Sequence, residues 1–144
     1  MSYWACFYHV VWATRGREPI LAPAKFALVE AVVRAAAEDG RVLVHAVGCM
    51  PDHVHVAASV PPALAVAAVV KRWKGSSSHL LNRHRGEGGD RFGWQAEYGV
   101  HTFGRDALPR VVAYVNGQAE HHRRDDLWPG LERAASDPPR QTPS

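Results

Sequence analysis

Residues 41–60 read RVLVHAVGCMPDHVHVAASV, and this stretch decides the fold class. Two runs dominated by valine and other apolar residues, 41–48 and 52–60, flank a short turn at Met50-Pro51. β-branched residues favour strands, and a connection of only a few residues that contains proline favours a tight reversal. The pattern therefore predicts an antiparallel hairpin.

The histidines of this hairpin are the first candidates for a functional site. Side chains alternate along a strand, so His53 and His55 point to one face while Val54 points into the core. Two imidazoles on one face can bind a divalent metal ion, but two strand histidines can also share a face without a ligand. Asp52 precedes the pair, where it either orients a histidine ligand or begins the strand in an Asx turn.

The hairpin lies within a larger alternation of strands and helices. A first strand is predicted at residues 3–13 and a fourth at residues 98–103, both rich in aromatic or β-branched residues. Between the first strand and the hairpin, a helix has Pro23 in its first turn and stops at Asp39-Gly40. A second helix at residues 64–73 follows the hairpin.

Two features of the second half of the chain interrupt regular structure. The sequence KGSSS at residues 74–78 is predicted to break the second helix, and the charged, glycine-rich residues 83–93 predict a loop. A last helix is predicted at residues 107–124, with Asp106 as its N-cap.

The predicted order is strand, helix, strand, strand, helix, strand, helix. This is the split βαβ order of ferredoxin-like or RRM-like α+β folds, with a four-stranded antiparallel sheet, helices on one face and an extra C-terminal helix that carries candidate catalytic residues. We expect one domain over residues 1–131 and a disordered tail at residues 132–144.

The last helix carries a second set of candidate functional residues. Tyr114, Gln118 and His121 are spaced four and three apart, so they share a helix face, and the first two lie about 6 Å apart along the axis. A carboxamide oxygen can join two imidazoles around a metal ion, and a tyrosine beside that ion is a candidate nucleophile. A polar stripe of this kind can also be a solvated surface, and Gly117 either permits close packing or bending or is a weak point in the helix.

Basic residues interleaved with hydroxyl groups and an aromatic ring suggest contacts with nucleic acid. Trp73 lies among them and fits the core better than a base-stacking platform. The candidate phosphate-binding residues are Arg15, Arg17, Lys71, Arg72, Lys74, Ser76, Arg83 and Arg85.

The composition permits nucleic-acid binding without proving it. The formal net charge is +3 and the pI is about 9.1, which is mildly basic. No apolar run approaches the roughly 20 residues that span a bilayer, and no signal peptide is visible. Cys6 and Cys49 form no CxxC pair, which is typical of reduced core thiols, so we expect a cytoplasmic protein without a membrane partner.

Three segments resemble the single-tyrosine HUH transposases of small bacterial insertion sequences of the insertion-sequence-200-like type. In chain order they are MPDHVHV at residues 50–56, KGSSS at residues 74–78 and YVNGQ at residues 114–118. HUH denotes histidine, hydrophobic residue, histidine. The resemblance runs from about Tyr8 to His122. Members often have asparagine directly before the glutamine, where this chain has Gly117.

The resemblance implies a fold, a reaction and roles for matching residues. His53, His55 and Gln118 would bind Mg²⁺ or Mn²⁺, and Tyr114 would attack single-stranded DNA to form a 5′-phosphotyrosine, with Asp52 and His121 as possible supporting residues. The resemblance also implies a homodimer that recognises hairpins at the ends of a mobile element. The alternatives are a catalytically retired RRM-like nucleic-acid-binding protein and a small metal-dependent hydrolase that needs only the histidines.

Overall fold

The computed structural model describes residues 2–38, 41–83, 85, 89–124, 127 and 129–134. The strands are β1 (Phe7–Ala13), β2 (Leu43–Met50), β3 (His53–Ser59) and β4 (Gly99–Phe103). The helices are α1 (Phe26–Glu38), α2 (Val66–Arg83), α3 (Leu108–Asn116), α4 (Gln118–Arg124) and α5 (Pro129–Glu132). A short 3-10 turn follows β1 at Arg15–Arg17. Two others precede α1 and α3, at Pro23–Lys25 and at Arg105–Ala107.

The strands form one antiparallel sheet in the order β2-β3-β1-β4. This is the predicted ferredoxin-like α+β fold, and β2 and β3 form the predicted hairpin, with Pro51 and Asp52 in the turn. All seven residues of β3 are buried, because the strand lies inside the sheet and is covered on both faces. Its histidines therefore lie in the interior of the protein.

One face of the sheet packs against α1 and α2. Val10, Trp12, Val54 and Val56 belong to this main core. Trp73 of α2 joins them at 1 % exposure, with its ring centroid 6.2 Å from that of Trp12. Trp73 is therefore a core residue, as predicted, and is not free to stack on a base.

The opposite face carries the histidines and is covered by the C-terminal helices. Alanines of β2 and β3 pack against Val111 and Val115 of α3. Ala134, just after α5, packs against Val11 and Ala13 of β1. Small residues on this face let both segments lie close to the sheet.

The predicted interruption of the second helix is wrong, because α2 runs unbroken through residues 74–78. Trp73, Ser77 and Leu81 form a buried stripe along it, so packing overrides the weak helix propensity of the intervening residues. The Ser77 hydroxyl donates to the carbonyl oxygen of Trp73 at 2.7 Å, so this buried donor has its hydrogen-bond acceptor within the helix. A Cβ at Gly75 would meet nothing within 4 Å, so this glycine makes no close contact.

The last predicted helix is in fact divided. α3 ends at Asn116, Gly117 is its C-cap, and α4 begins at Gln118. Glycine costs about 1 kcal/mol in a helix interior relative to alanine, which favours a break at this position. Asp106 is not the N-cap of α3, because it lies in the preceding 3-10 turn and Ala107 occupies the cap position without a side-chain hydrogen bond.

Two predicted features lie outside the described residues, namely the helix stop at Asp39-Gly40 and residues 135–144 of the tail. Both cysteines are free thiols. Among the helices of the described segments, none combines the length and the apolar character needed to cross a membrane.

Candidate functional site

The site depends on close contact between β2 and the junction of α3 and α4. Gly48 of β2 lies beside His55 in the sheet register. A Cβ at this position would overlap the carbonyl oxygen of Val115 and touch the side chain of Gln118. The glycine therefore lets the junction lie directly on the sheet, next to the histidines.

This packing gathers the four residues that the sequence singled out. The rings of His53 and His55 are 5.0 Å apart and nearly perpendicular, and the Tyr114 ring is 6.1 Å from that of His55. Gln118 donates through Nε2 to the carbonyl oxygen of Tyr114 at 3.1 Å, and its Oε1 lies 3.2 Å from Nε2 of His122. All four predicted residues are at most 6 % exposed, so they form a buried cluster and not a solvated stripe.

Asp52 holds one histidine in a fixed orientation. Its Oδ1 lies 2.6 Å from Nδ1 of His53, and Arg17 is 3.9 Å from its other oxygen. With Nδ1 bound to the carboxylate, Nε2 of His53 is the atom left to bind a ligand. This bond favours the orienting role for Asp52 over the Asx turn. The side chain of His121 lies outside the described residues.

Glu132 of α5 is a component of the cluster that the sequence did not reveal. Its Oε1 accepts a hydrogen bond from the Tyr114 hydroxyl at 2.5 Å. Its Oε2 lies 3.1 Å from Nε2 of His55 and 3.4 Å from Nε2 of His53. The boundary predicted between domain and tail falls at this residue.

The charges of the cluster depend on these contacts. Burial opposes ionisation of Glu132, but its contacts with His53, His55 and Tyr114 outweigh burial and hold the pKa of Glu132 below its usual value. Burial also disfavours the charged form of His53, yet its contact with the Glu132 carboxylate and its hydrogen bond with Asp52 raise the pKa of His53 overall. The pKa of His55 is lowered, mainly because burial outweighs the contact with Glu132.

His9 of β1 is a second residue that the sequence did not reveal. Its Nε2 lies 2.7 Å from Nδ1 of His55, and both rings are fully buried. Burial, followed by the neighbouring His55 and His101, lowers the pKa of His9 to about 2, so His9 stays neutral at physiological pH. A neutral ring can accept the Nδ1 proton of His55 through its own Nε2, which leaves Nε2 of His55 free to bind a metal ion.

We expect His9→Leu to weaken Mn²⁺ binding by about 10- to 100-fold, the range typical for loss of a group that orients a metal ligand. His9→Gln should retain most of the affinity, because its amide oxygen can accept the same proton. Isothermal titration calorimetry measures both. His45→Leu is the matched control, since His45 is a strand histidine bonded instead to Ser59 at 2.6 Å. Equal affinity in His9→Leu and the wild type would contradict this role.

The donor atoms of the cluster fit a divalent metal ion. Ligand atoms of His53, His122 and Glu132 all lie within 4.8 Å of one another. Nε2 of His53 is buried and has no hydrogen-bond partner of good geometry, which is unfavourable unless a ligand binds it. Imidazole nitrogens together with carboxylate or amide oxygens are a mixed donor set that suits Mn²⁺, and Mg²⁺ accepts the oxygen ligands.

A basic groove lies along α2, away from the histidines. Arg15, Lys71, Arg91 and Trp94 line one part of it, with a volume of about 590 Å³. Arg83 and Arg85 line the adjoining part together with Arg91. These groups remain candidates for phosphate contacts. The structure adds Arg91, which lies within the predicted loop.

Other predicted DNA-binding residues have different surroundings. Lys74 donates its ammonium group to the carbonyl oxygens of Gln95, Ala96 and Glu97, at 2.5, 3.2 and 3.3 Å. It therefore holds the segment before β4 in place, and we assign it a structural role. Arg17 lies near the histidine site through its contact with Asp52, whereas Arg72 and Ser76 lie on the exposed or half-buried surface of α2.

Sequence comparison gives a family for the chain. The model of the family described as "Transposase IS200 like" matches residues 2–118, most of the chain. The transposase for insertion sequence element IS200 of Salmonella typhimurium is 27 % identical over 124 residues, covering 83 % of this chain and 81 % of that protein. The ISDra2 transposase TnpA of Deinococcus radiodurans is 25 % identical over 117 residues, covering 77 % and 82 %.

Two solved structures share the fold. One is a candidate transposase from Deinococcus radiodurans, with a TM-score of 0.63 and 22 % identity over 80 % of this chain and 92 % of that one. The other is a REP-associated tyrosine transposase bound to a REP hairpin, with a TM-score of 0.63 and 15 % identity over 85 % of this chain and 74 % of that one. Together with the buried tyrosine and histidine cluster, the family match identifies this chain as a member of the IS200-like transposase family.

Proposed function

We propose that this transposase cleaves and rejoins single-stranded DNA through a covalent bond to Tyr114, at a metal site that includes His53 and His55. The observation that carries the proposal is the burial of Tyr114 in one cluster with the two histidines, its ring 6.1 Å from that of His55. A phenol held beside two imidazoles at a candidate metal site is arranged for attack on a phosphodiester.

The proposed step exchanges one phosphorus–oxygen bond for another. The phenolic oxygen of Tyr114 attacks the scissile phosphorus, a new O–P bond forms, and the bond from phosphorus to the 3′-oxygen breaks. The phenol loses its proton and the leaving 3′-oxygen gains one through solvent, which gives a 5′-phosphotyrosine and a free 3′-hydroxyl. Because the phosphodiester energy is retained, a 3′-hydroxyl can reverse the attack at a new end without ATP.

His53, His55 and Gln118 are the residues that the family resemblance assigns to Mg²⁺ or Mn²⁺. When bound, such an ion withdraws charge from the phosphate and stabilises the leaving oxygen. Asp52 orients His53 and His9 orients His55, so the two imidazoles are fixed before substrate arrives. Gln118 reaches the cluster from the start of α4 and bonds to His122 there.

The proposed substrate is a single strand that carries a hairpin. The basic groove of Arg15, Lys71, Arg83, Arg85 and Arg91 offers cations for phosphates, and unpaired bases offer edges that a duplex hides. A related fold has been solved with a REP hairpin, which supports this choice.

We also infer a homodimer, which the family resemblance implies. The edge strands β2 and β4 expose Leu43 at 60 % and Val100 at 43 %, and pairing between subunits would cover such an edge. Tyr114 and the histidines already meet within one chain, so each subunit carries its own cluster in this arrangement. Light scattering at working concentration measures the state directly, and a monomer that cleaves normally would contradict the inference.

The proposed function is tested with end-labelled oligonucleotides of one sequence, prepared as a hairpin-bearing single strand and as a perfect duplex. With Mn²⁺ or Mg²⁺, we expect the single strand to give a protein–DNA adduct that survives denaturation, together with a fragment ending in a 3′-hydroxyl. The duplex should give little adduct, and a chelator should abolish the reaction. Cleavage without any covalent adduct, or equal reaction of the duplex, would contradict the proposal.

A further inference from the structure

Glu132 connects the proposed nucleophile to the proposed metal ligands. One carboxylate oxygen holds the Tyr114 hydroxyl, and the other faces Nε2 of His53 and of His55. Nε2 of His122 is also within 3.8 Å of this second oxygen. A single side chain therefore contacts both the proposed nucleophile and the proposed metal ligands.

Glu132 is held in place by its neighbours in the chain. The carbonyl oxygen of Arg133 packs so closely on Gly99 of β4 that a Cβ there would overlap it. Ala134 is 3 % exposed and packs against Val11 and Ala13. Gly99 and the small residues of β1 thus form a docking surface for the segment that carries Glu132.

The carboxylates of the cluster favour a bound cation. Glu132 and Asp52 place two carboxylates around His53, and the Glu132 side chain is only 14 % exposed. A DNA phosphate entering the site would add a further negative charge. Buried charges of one sign are unfavourable unless a cation lies among them. Mg²⁺ is commonly bound by one or two carboxylates together with substrate phosphates.

We propose that Glu132 belongs to the metal site. One of its carboxylate oxygens is a metal ligand, and the other accepts the hydrogen bond that orients Tyr114. This inference rests on the proposed function and extends its ligand set beyond His53, His55 and Gln118. A carboxylate makes the donor set harder, so Glu132 favours Mg²⁺ relative to Mn²⁺, which tolerates nitrogen ligands better.

The test is calorimetry of the full chain with Mg²⁺ and with Mn²⁺, in the wild type, Glu132→Gln and Glu132→Asp. We expect Glu132→Gln to lose at least about tenfold in Mg²⁺ affinity and less in Mn²⁺ affinity. Glu132→Asp keeps the charge and should retain more of the Mg²⁺ preference. A purely structural residue would not change the ratio of the two affinities. Glu30→Gln, which alters a surface ion pair with Arg34, is the matched control.

Adduct formation by the same variants and by Glu132→Ala distinguishes the remaining outcomes. The proposal predicts slower adduct formation, with thermal unfolding showing that the fold is retained. Unchanged metal affinities and cleavage would overturn it. Tighter metal binding with faster cleavage in Glu132→Ala would also overturn it, because Glu132 would then only block the site. If the proposed function itself fails, the wild type will bind no metal and form no adduct.

Discussion

Tyr114→Phe should reduce DNA cleavage by at least about 10³-fold and remove the covalent adduct entirely, because it deletes the attacking oxygen. The substitution keeps the ring that packs at 6.1 Å from His55. It also removes the hydrogen bond to the Glu132 carboxylate, which costs about 2 kcal/mol, so the protein should remain folded. The measurement is a single-turnover assay on a labelled hairpin strand, with adduct and fragments resolved under denaturing conditions.

Tyr8→Phe is the matched control for this result. Tyr8 alternates with His9 along β1, so its side chain points away from the histidine face and packs against the main core. We expect its activity to match the wild type. A Tyr114→Phe protein that still cleaves at a comparable rate would favour the hydrolase alternative, in which the histidines act without a tyrosine nucleophile.

His53→Ala combined with His55→Ala should abolish metal binding and cleavage together. Loss of two ligands should weaken Mn²⁺ binding by more than the roughly 100-fold that loss of one orienting group costs. Because every residue of β3 is buried, the change also leaves a cavity. Calorimetry of metal binding therefore has to be paired with thermal unfolding of the metal-free protein.

His45→Ala supplies the comparison for the cavity, since His45 is partly buried on the neighbouring strand and contacts Ser59 and not the cluster. It should lose some stability but keep its metal affinity. If the double variant folds and still binds Mn²⁺ with wild-type affinity, the ion binds elsewhere and the histidine pair is structural.

The fold and the histidine pair of the site follow from local sequence patterns. Valine-rich alternation around Pro51 predicts the hairpin, and strand periodicity alone places His53 and His55 on one face. The spacing of Tyr114 and Gln118 also predicts a shared face. It does not predict that this face is buried on the sheet, because that depends on Gly48 leaving room for the carbonyl oxygen of Val115.

The errors arise where packing decides the structure. The polar and glycine residues at 74–78 are weak helix formers, yet the buried stripe of Trp73, Ser77 and Leu81 keeps α2 continuous. Conversely, the apolar periodicity of residues 107–124 suggests one helix, whereas the chain breaks at Gly117.

The residues that sequence analysis missed belong to the site only through tertiary contacts. Glu132 is 77 positions from His55 in the chain, and its segment WPGLER has no helical periodicity long enough to predict docking on β1 and β4. His9 reaches His55 only through the pairing of β1 with β3. The local sequence could have indicated His122, because it lies four residues after Gln118 and so on the same helix face.

The central claim is that Tyr114 becomes covalently joined to DNA, and mass spectrometry of the adduct tests it most directly. Trypsin cleavage after Arg110 and Arg123 releases the peptide VVAYVNGQAEHHR, in which Tyr114 is the only tyrosine. After nuclease trimming, we predict that this peptide carries a 5′-phosphonucleotide on Tyr114 in the presence of Mn²⁺ or Mg²⁺. A nucleotide on any other residue, or an unmodified peptide from protein that has cleaved its substrate, would contradict the account.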